Sequence, residues 1–246
     1  SFTITQPTAL TATISKTDVS CNGGSNGTAS VAASGGTPAY TYSWSPSGGT
    51  AATATGLAAG TYTCTITDAN ACQITRSVTV GQPSAITASV SKTDVSCNGG
   101  TNGTATVSGV TGGAAPYSYS WSPSGGTAAI ATGLAAGSYT VTITDNNTCQ
   151  TTRNVTITQP APITASIGKT DVSCNGGSNG TATVTGVTGG SGSYSYSWSP
   201  SGGTAATATG LAAGTYTCTI TDLVSTCQIT RSVTVNQPTA LSGTAS

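Results

Sequence analysis

Eight cysteines and six aspartates are the residues of this 246-residue chain with the most chemistry to offer, and they come without a single His, Glu or Met. The absence of His removes the usual general base, the Ser-His-Asp and Cys-His nucleophile arrangements, and His-based zinc sites. The cysteines lack the CxxC spacing of zinc and redox motifs. Paired aspartates could serve as acid and base. Yet the same pair, such as Asp18 and Asp68, recurs along the chain, which is the habit of structure. The expectation is that this is not an enzyme.

The recurrence has a fixed period. KTDVSCNGG begins at Lys16, Lys92 and Lys169; YSWSPSGGTAA places tryptophans at Trp44, Trp121 and Trp198; GLAAG precedes Tyr62, Tyr139 and Tyr216. Gln-Pro pairs close each unit at Pro83, Pro160 and Pro238, giving units 8–83, 84–160 and 161–238, about 77 residues each. Residues 1–7 match the end of a unit and 239–246 the beginning of one. They read as the last strand of a preceding repeat and the first strand of a following one, cut from a longer array.

Each unit reads as strands. ALTATIS, TASVAAS, YTYSW, TAATATGL, TYTCTIT and CQITRSVTV are rich in Thr, Val, Ile and Tyr and are punctuated by Gly, Asn and Pro. No helical apolar period appears. Alternation puts Tyr40, Tyr42 and Trp44 on one face and Tyr62, Cys64 and Ile66 on another. These faces, with Trp121, Tyr139, Trp198 and Tyr216 in the later units, are the expected core. One buried Trp and a Tyr opening a late strand is the pattern of an immunoglobulin-like sandwich. The predicted fold is all-β, a tandem array of small immunoglobulin-like β-sandwiches. So small a core needs a staple.

A disulfide framework supplies one. The cysteine positions present in every unit are Cys21 and Cys72, Cys97 and Cys149, Cys174 and Cys227. Bonds within units, Cys21–Cys72, Cys97–Cys149 and Cys174–Cys227, are therefore expected. Each would close a loop of about fifty residues, worth about 4 kcal/mol in the chain-entropy account. Cys64 and Cys218 have Val141 as their equivalent, so they read as free buried thiols acting as small hydrophobes.

The aspartates also admit a metal reading. With Cys21 bonded to Cys72, Asp18 and Asp68 would lie close together, as would Asp94 with Asp145 and Asp171 with Asp222. Such pairs are candidate Ca²⁺ ligands, and no other cofactor is expected. The plainer reading pairs them with Lys16 and Arg76 or has them cap turns. Arg76, Arg153 and Arg231 share strand parity with apolar Val78, Val155 and Val233, so either they point inward at a rim or a bulge resets the register. The aromatic cluster at Tyr40, Tyr42 and Trp44 is core in one reading and a glycan platform in the other. Asn-Gly-Thr at Asn26, Asn102 and Asn179 fits a glycosylation sequon and equally a tight turn; the turn is favoured.

Six cations against six anions, scattered and cancelling, exclude a polyanion site, so no nucleic-acid partner is expected. No apolar run is long enough to span a membrane. Solubility falls to Ser and Thr hydroxyls, which suits a secreted protein.

The order DVSCNGGSNGTA, GGTPAYTYSWS, GLAAGTYT, TITDANAC and a closing QP resembles the SprB repeat of very large cell-surface adhesins in gliding Bacteroidetes. The resemblance covers all three units and departs from the family at Cys64 and Cys218, where an apolar residue is usual. The shorter YTYSW and GTYT elements also look like PKD modules. The resemblance implies an outer-surface filament of a Gram-negative cell, exported by the type IX secretion system and used for attachment or gliding. The partners then implied are neighbouring repeats, other copies of the filament, and surfaces or polysaccharides. The rival readings are a glycan-binding module and a passive spacer for a distant domain. Short Gln-Pro junctions predict a semi-rigid rod.

Overall fold

The computed structural model describes residues 2 and 4–243. Among them there is no helix. Each unit contributes six strands. The first has β1 (Thr11–Thr17), β2 (Gly27–Ser34), β3 (Thr41–Ser45), β4 (Thr53–Leu57), β5 (Gly60–Thr67) and β6 (Gln73–Val80). The second has β7 (Thr87–Thr93), β8 (Gly103–Thr111), β9 (Ser118–Ser122), β10 (Ile130–Leu134), β11 (Gly137–Thr144) and β12 (Gln150–Ile157). The third has β13 (Thr164–Thr170), β14 (Gly180–Thr188), β15 (Tyr194–Ser199), β16 (Thr207–Leu211), β17 (Gly214–Asp222) and β18 (Gln228–Val235). The stubs expected at 1–7 and 239–246 form no strand where described, having no neighbouring strand to bond. Ser1, Thr3 and 244–246 lie outside the described residues.

Two three-stranded antiparallel sheets make each sandwich, β1-β2-β4 and β3-β5-β6 in the first unit. The alternation expected from the sequence sets the core between them. Trp44, Tyr62, Cys64 and Ile66 from one sheet meet Ala29, Val31, Ala54 and Leu57 from the other, all buried. Trp121, Tyr139, Trp198 and Tyr216 are buried in the same way. Polar atoms of the aromatics find carbonyls: Trp44 Nε1–H donates to Ala51 O at 2.9 Å and the Tyr62 hydroxyl to Ala58 O at 3.1 Å. Gly27 allows β2 to pass close to β6, since a Cβ there would sit 2.6 Å from Val80 Cγ1.

Strand directions decide what the loops can reach. Ala12 of β1 lies beside Arg76 of β6, and Asp18 just past β1 lies beside Gly81 just past β6, so these two strands run the same way. β4 shares the direction of β1, because both are antiparallel to β2; β3 shares that of β6, because both are antiparallel to β5. Four strands thus run from the leading pole, where the chain enters a unit, to the trailing pole, where it leaves. Only β2 and β5 return.

The arginines are resolved by the same register. Pairing of β5 with β6 is continuous, with Arg76 opposite Cys64 and no bulge. Arg76 is a half-buried rim residue, and its Nε–H donates to Ala12 O at 2.7 Å, tying β6 to β1 across the sheets. Arg153 does the same to Ala88 O and Arg231 to Ala165 O.

Candidate functional site

The turn between β5 and β6 sits at the leading pole and is built around Asp68. Its carboxylate accepts N–H bonds from Thr37, Asn70 and Cys72 at 2.8–2.9 Å. Asp145 accepts from Ala114, Asn147 and Cys149, and Asp222 from Ser191, Val224 and Ser225. Bonds from the backbone, that of Thr37 foremost, hold the Asp68 carboxyl below the usual carboxylate range. For Asp145, burial pushes the other way and the three N–H donors prevail. Gly36, with φ +65°, lets the loop close over Asp68; a Cβ there would lie 2.7 Å from Oδ2. The residue before each cysteine, Ala71, Thr148 or Thr226, has a positive φ of 61–66°. For side chains other than Gly this is a strained conformation, and it aims the following thiol out of the unit.

The turn after β1 sits at the trailing pole. Asp18 there accepts from Lys16 Nζ at 2.8 Å and from the Gly81 N–H at 2.6 Å. Asp94 accepts from Lys92 and from the Thr158 N–H, which together bring its pKa to about 2. Asp171 accepts from Lys169 and from the Asn236 N–H. The Asn26 side chain bonds both the N–H and the hydroxyl of Ser20, shaping the loop that carries Cys21. Asn102 and Asn179 repeat this with Ser96 and Ser173. These asparagine side chains are occupied by the turn.

Cys21 and Cys72 therefore stand at opposite poles of one unit. A strand of seven or eight residues separates them, about 25 Å, whereas a disulfide needs Cα atoms within about 7 Å. The bonds expected inside units, Cys21–Cys72, Cys97–Cys149 and Cys174–Cys227, do not form. The trailing cysteine of each unit bonds the leading cysteine of the next instead. Cys21 joins Cys149 with Cα atoms 5.5 Å apart, and Cys97 joins Cys227 at 5.6 Å. Cys72 and Cys174 are free and exposed; Cys64 and Cys218 are free and buried.

A polar latch surrounds each bond. Asn22 Nδ2 donates to Pro83 O at 3.0 Å and the Gly23 N–H to Gln82 Oε1 at 2.7 Å, pinning the Gln-Pro exit under the cysteine loop. Asn98 and Gly99 repeat this on Pro160 and Gln159. Across the first junction Asn147 Nδ2 donates to Ser20 O, and just beyond it, within the second unit, the Gly113 N–H donates to Ser84 O at 2.8 Å. A cleft of about 420 Å³ remains beside Cys21, Pro83, Ile86 and Asp145.

The polar arrangement also bears on the metal and glycan readings. Asp18 and Asp68 lie at opposite poles, as do Asp94 with Asp145 and Asp171 with Asp222, so the pairs do not converge. Among the described residues no three acidic or thiol groups cluster. Asp68, Asp145 and Asp222 face converging N–H donors, surroundings that suit an anion and repel a cation. Arg76 makes no ion pair with Asp68; it is spent on carbonyls. Trp44 is 6% exposed and offers no face to a sugar ring. Tyr40 and Tyr42 pack against the core, and the Tyr40 hydroxyl is bonded to Gly35 O.

With a trailing cysteine loop recurring in each unit, the comparison with known repeats is decisive. Residues 13–49, 89–128 and 167–203 match the SprB repeat. All three units are thus similar to the SprB repeat over their first strands. Each match spans the first strands of a unit and includes Cys21, Cys97 or Cys174, and it ends before the leading cysteine turn. No curated protein has a matching sequence. Among solved structures, three N-terminal domains of the bacteriophage RB49 outer capsid protein Hoc align at 14% identity and TM-score 0.38, over 94% of this chain and all of that one. Invasin, a bacterial integrin-binding protein, aligns at 15% and 0.36 over 93% of this chain and 60% of its own. The first eight Ig domains of the Down syndrome cell adhesion molecule align at 11% and 0.36 over 94% and 45%.

Of the latch residues, Gln82 and Gln159 were read in the sequence only as part of the Gln-Pro unit boundaries, and Asn22, Asn98 and Asn147 were not singled out. The signal was present, because every unit has Asn directly after its trailing cysteine and Gln before its closing proline.

Proposed function

We propose that this chain is a tension-carrying stalk segment of an extracellular adhesive filament. It would stand on the outer surface of a Gram-negative cell, serve attachment or gliding, be exported by the type IX route and bear on surfaces or polysaccharides. Supporting the surface assignment are the similarity to the SprB repeat, the disulfides and a charge-poor exterior rich in Ser and Thr. Among the described residues no helix is long and apolar enough to cross a membrane.

The observation that carries the mechanical reading is that disulfides link consecutive repeats. In the middle repeat, tension arrives both through Pro83 and through Cys149, and leaves both through Pro160 and through Cys97. Its two direct covalent lines are β7 and β12, which are already extended strands running parallel and clamped by Arg153. The strands between Cys97 and Cys149 lie off both lines.

With both bonds closed, the shortest covalent route from residue 8 to 238 passes 8–21, 149 back to 97, and 227–238. Its full reach is roughly 270 Å, against roughly 800 Å for the reduced chain. Pulling single molecules by their ends tests this. The expected limit is the short contour in oxidising buffer and the long one in reductant. An oxidised chain that extends to the long contour would remove the basis for the reading.

A further inference from the structure

Each unit carries two Asn-Gly steps: Asn22–Gly23 and Asn26–Gly27 in the first, Asn98–Gly99 and Asn102–Gly103 in the second, Asn175–Gly176 and Asn179–Gly180 in the third. At Asn-Gly an asparagine side chain readily loses its amide, because the next residue offers a backbone nitrogen that no side chain shields. We propose that Asn22 and Asn98, at the two junctions between repeats, are self-modifying sites gated by the latch. A closed latch holds them unreacted; an opened latch lets them deamidate and then cannot close again. The inference rests on latch geometry and is independent of the adhesive reading.

The reaction needs one nucleophile and one leaving group. The Gly23 nitrogen gives its proton to hydroxide and attacks Asn22 Cγ; the Cγ–Nδ2 bond breaks, and Nδ2 takes a proton from water and leaves as ammonia. Water then opens the succinimide at one of its two carbonyls. One opening gives Asp, the other isoaspartate with the main chain rerouted through the side chain.

In the closed junction both reacting nitrogens are engaged. The Gly23 N–H donates to Gln82 Oε1 at 2.7 Å and Asn22 Nδ2 to Pro83 O at 3.0 Å. Gly99 and Asn98 make the same two bonds to Gln159 and Pro160. The backbone is fixed as well: the Gly24 N–H closes a turn on Cys21 O at 3.0 Å, with Gly23 at its third position and φ +74°. Nothing else shields the step. Asn22 and Gly23 are exposed to water, and no atom lies within 4 Å of where a Gly23 Cβ would stand.

Asn26–Gly27 is protected differently. The Asn26 side chain bonds the N–H and hydroxyl of Ser20, and Gly27 is buried at the start of β2, paired with Leu57. That step is freed only when the unit itself unfolds. The latch step is freed earlier, because Gln82 and Pro83 lie on the segment leaving the unit, and moving that segment off the cysteine loop breaks both bonds together. The Cys21–Cys149 bond, one residue away, holds the same loop against the next repeat. Once a carboxylate replaces the amide, the donor to Pro83 O is gone and a negative oxygen faces a carbonyl. Isoaspartate also lengthens the main chain by one methylene. A junction that has reacted stays weakened.

The test incubates the full chain in mildly alkaline buffer and follows each asparagine by fragment-ion mass spectrometry. In oxidised wild type, Asn22 and Asn98 should convert more slowly than in the urea-unfolded chain. Reducing the disulfides while the units remain folded should speed both and leave Asn26 and Asn102 intact. Gln82→Ala should speed Asn22 roughly two- to tenfold, the change that one lost hydrogen bond makes in an opening equilibrium, and leave Asn98 at its wild-type rate. Asn22→Asp should raise the rate at which glutathione reduces Cys21–Cys149 without changing that of Cys97–Cys227; an unchanged rate at both bonds would overturn the claim that a modified latch stays open. Asn22 that reacts in oxidised wild type as fast as in the unfolded chain would overturn the gating. So would Asn22 that keeps its wild-type pace both in the reduced chain and in Gln82→Ala.

Discussion

Cys21 and Cys149 are 128 residues apart in sequence, and their Cα atoms are 5.5 Å apart across the boundary between two repeats. The staple that a 77-residue sandwich lacks internally is supplied by its neighbour. Each repeat helps close the covalent frame of the next, and stability and extensibility become properties of the array.

Removing that bond should act through the pair. Cys21→Ser is expected to destabilise the first two repeats by at most about 5 kcal/mol, the chain-entropy value for so long a loop. Cys149→Ser in the same background should add nothing further. By contrast Cys72→Ser, at an exposed free thiol, should fall within about 0.5 kcal/mol of wild type. Urea denaturation of the four proteins measures these differences.

The pH dependence follows from which groups titrate. Asp68, Asp145 and Asp222 have pKa values lowered in the folded state by their N–H donors. Their stabilising contribution is present above the unfolded carboxyl range near pH 4 and is lost as pH falls through the lower folded values. Asp94, at about 2, follows the same sign. With no His and no Glu, the melting temperature should be flat from pH 5 to 8 and fall steadily below pH 4. Calorimetry across that range checks it.

Arg153→Ala should cost roughly 1–3 kcal/mol, because the guanidinium bond to Ala88 O is charge-assisted and joins the two sheets. Lys at this position should restore only part of the loss, being a point donor on a flexible stem. Denaturant titration of the three proteins, with the force at which β7 parts from β12, gives the comparison.

Cys64→Val should be close to neutral, within about 1 kcal/mol. The second repeat already places Val141 at the same fully buried site, opposite the equivalent arginine. Thermal melting distinguishes this from a thiol with a structural bond.

Much of this was legible in the sequence, and what was not has a definite cause. Alternation in YTYSW and TYTCTIT placed Trp44, Tyr62 and Ile66 in the core, because side-chain period two is local. Pairing of the cysteines is not local. The expected bonds took the two cysteines present in every unit, such as Cys21 and Cys72, as partners within that unit, which requires their turns to share a pole. β3 and β4, however, run in the same direction in different sheets, and that one crossover sends the second turn to the far pole. The error carried over to the aspartates, whose supposed proximity depended on the same bond. The rim position of Arg76 was undecidable until the continuous β5–β6 register removed the bulge.

Trypsin digestion under non-reducing, denaturing conditions tests the inter-repeat ladder most directly. Cleavage after Lys16, Arg76, Lys92, Arg153, Lys169 and Arg231 places the cysteines in the peptides 17–76, 93–153 and 170–231. With Cys21 bonded to Cys149 and Cys97 to Cys227, mass spectrometry should find these three peptides joined as one species that falls apart on reduction. Three separate peptides, each closed on itself by a bond such as Cys21–Cys72, would contradict it.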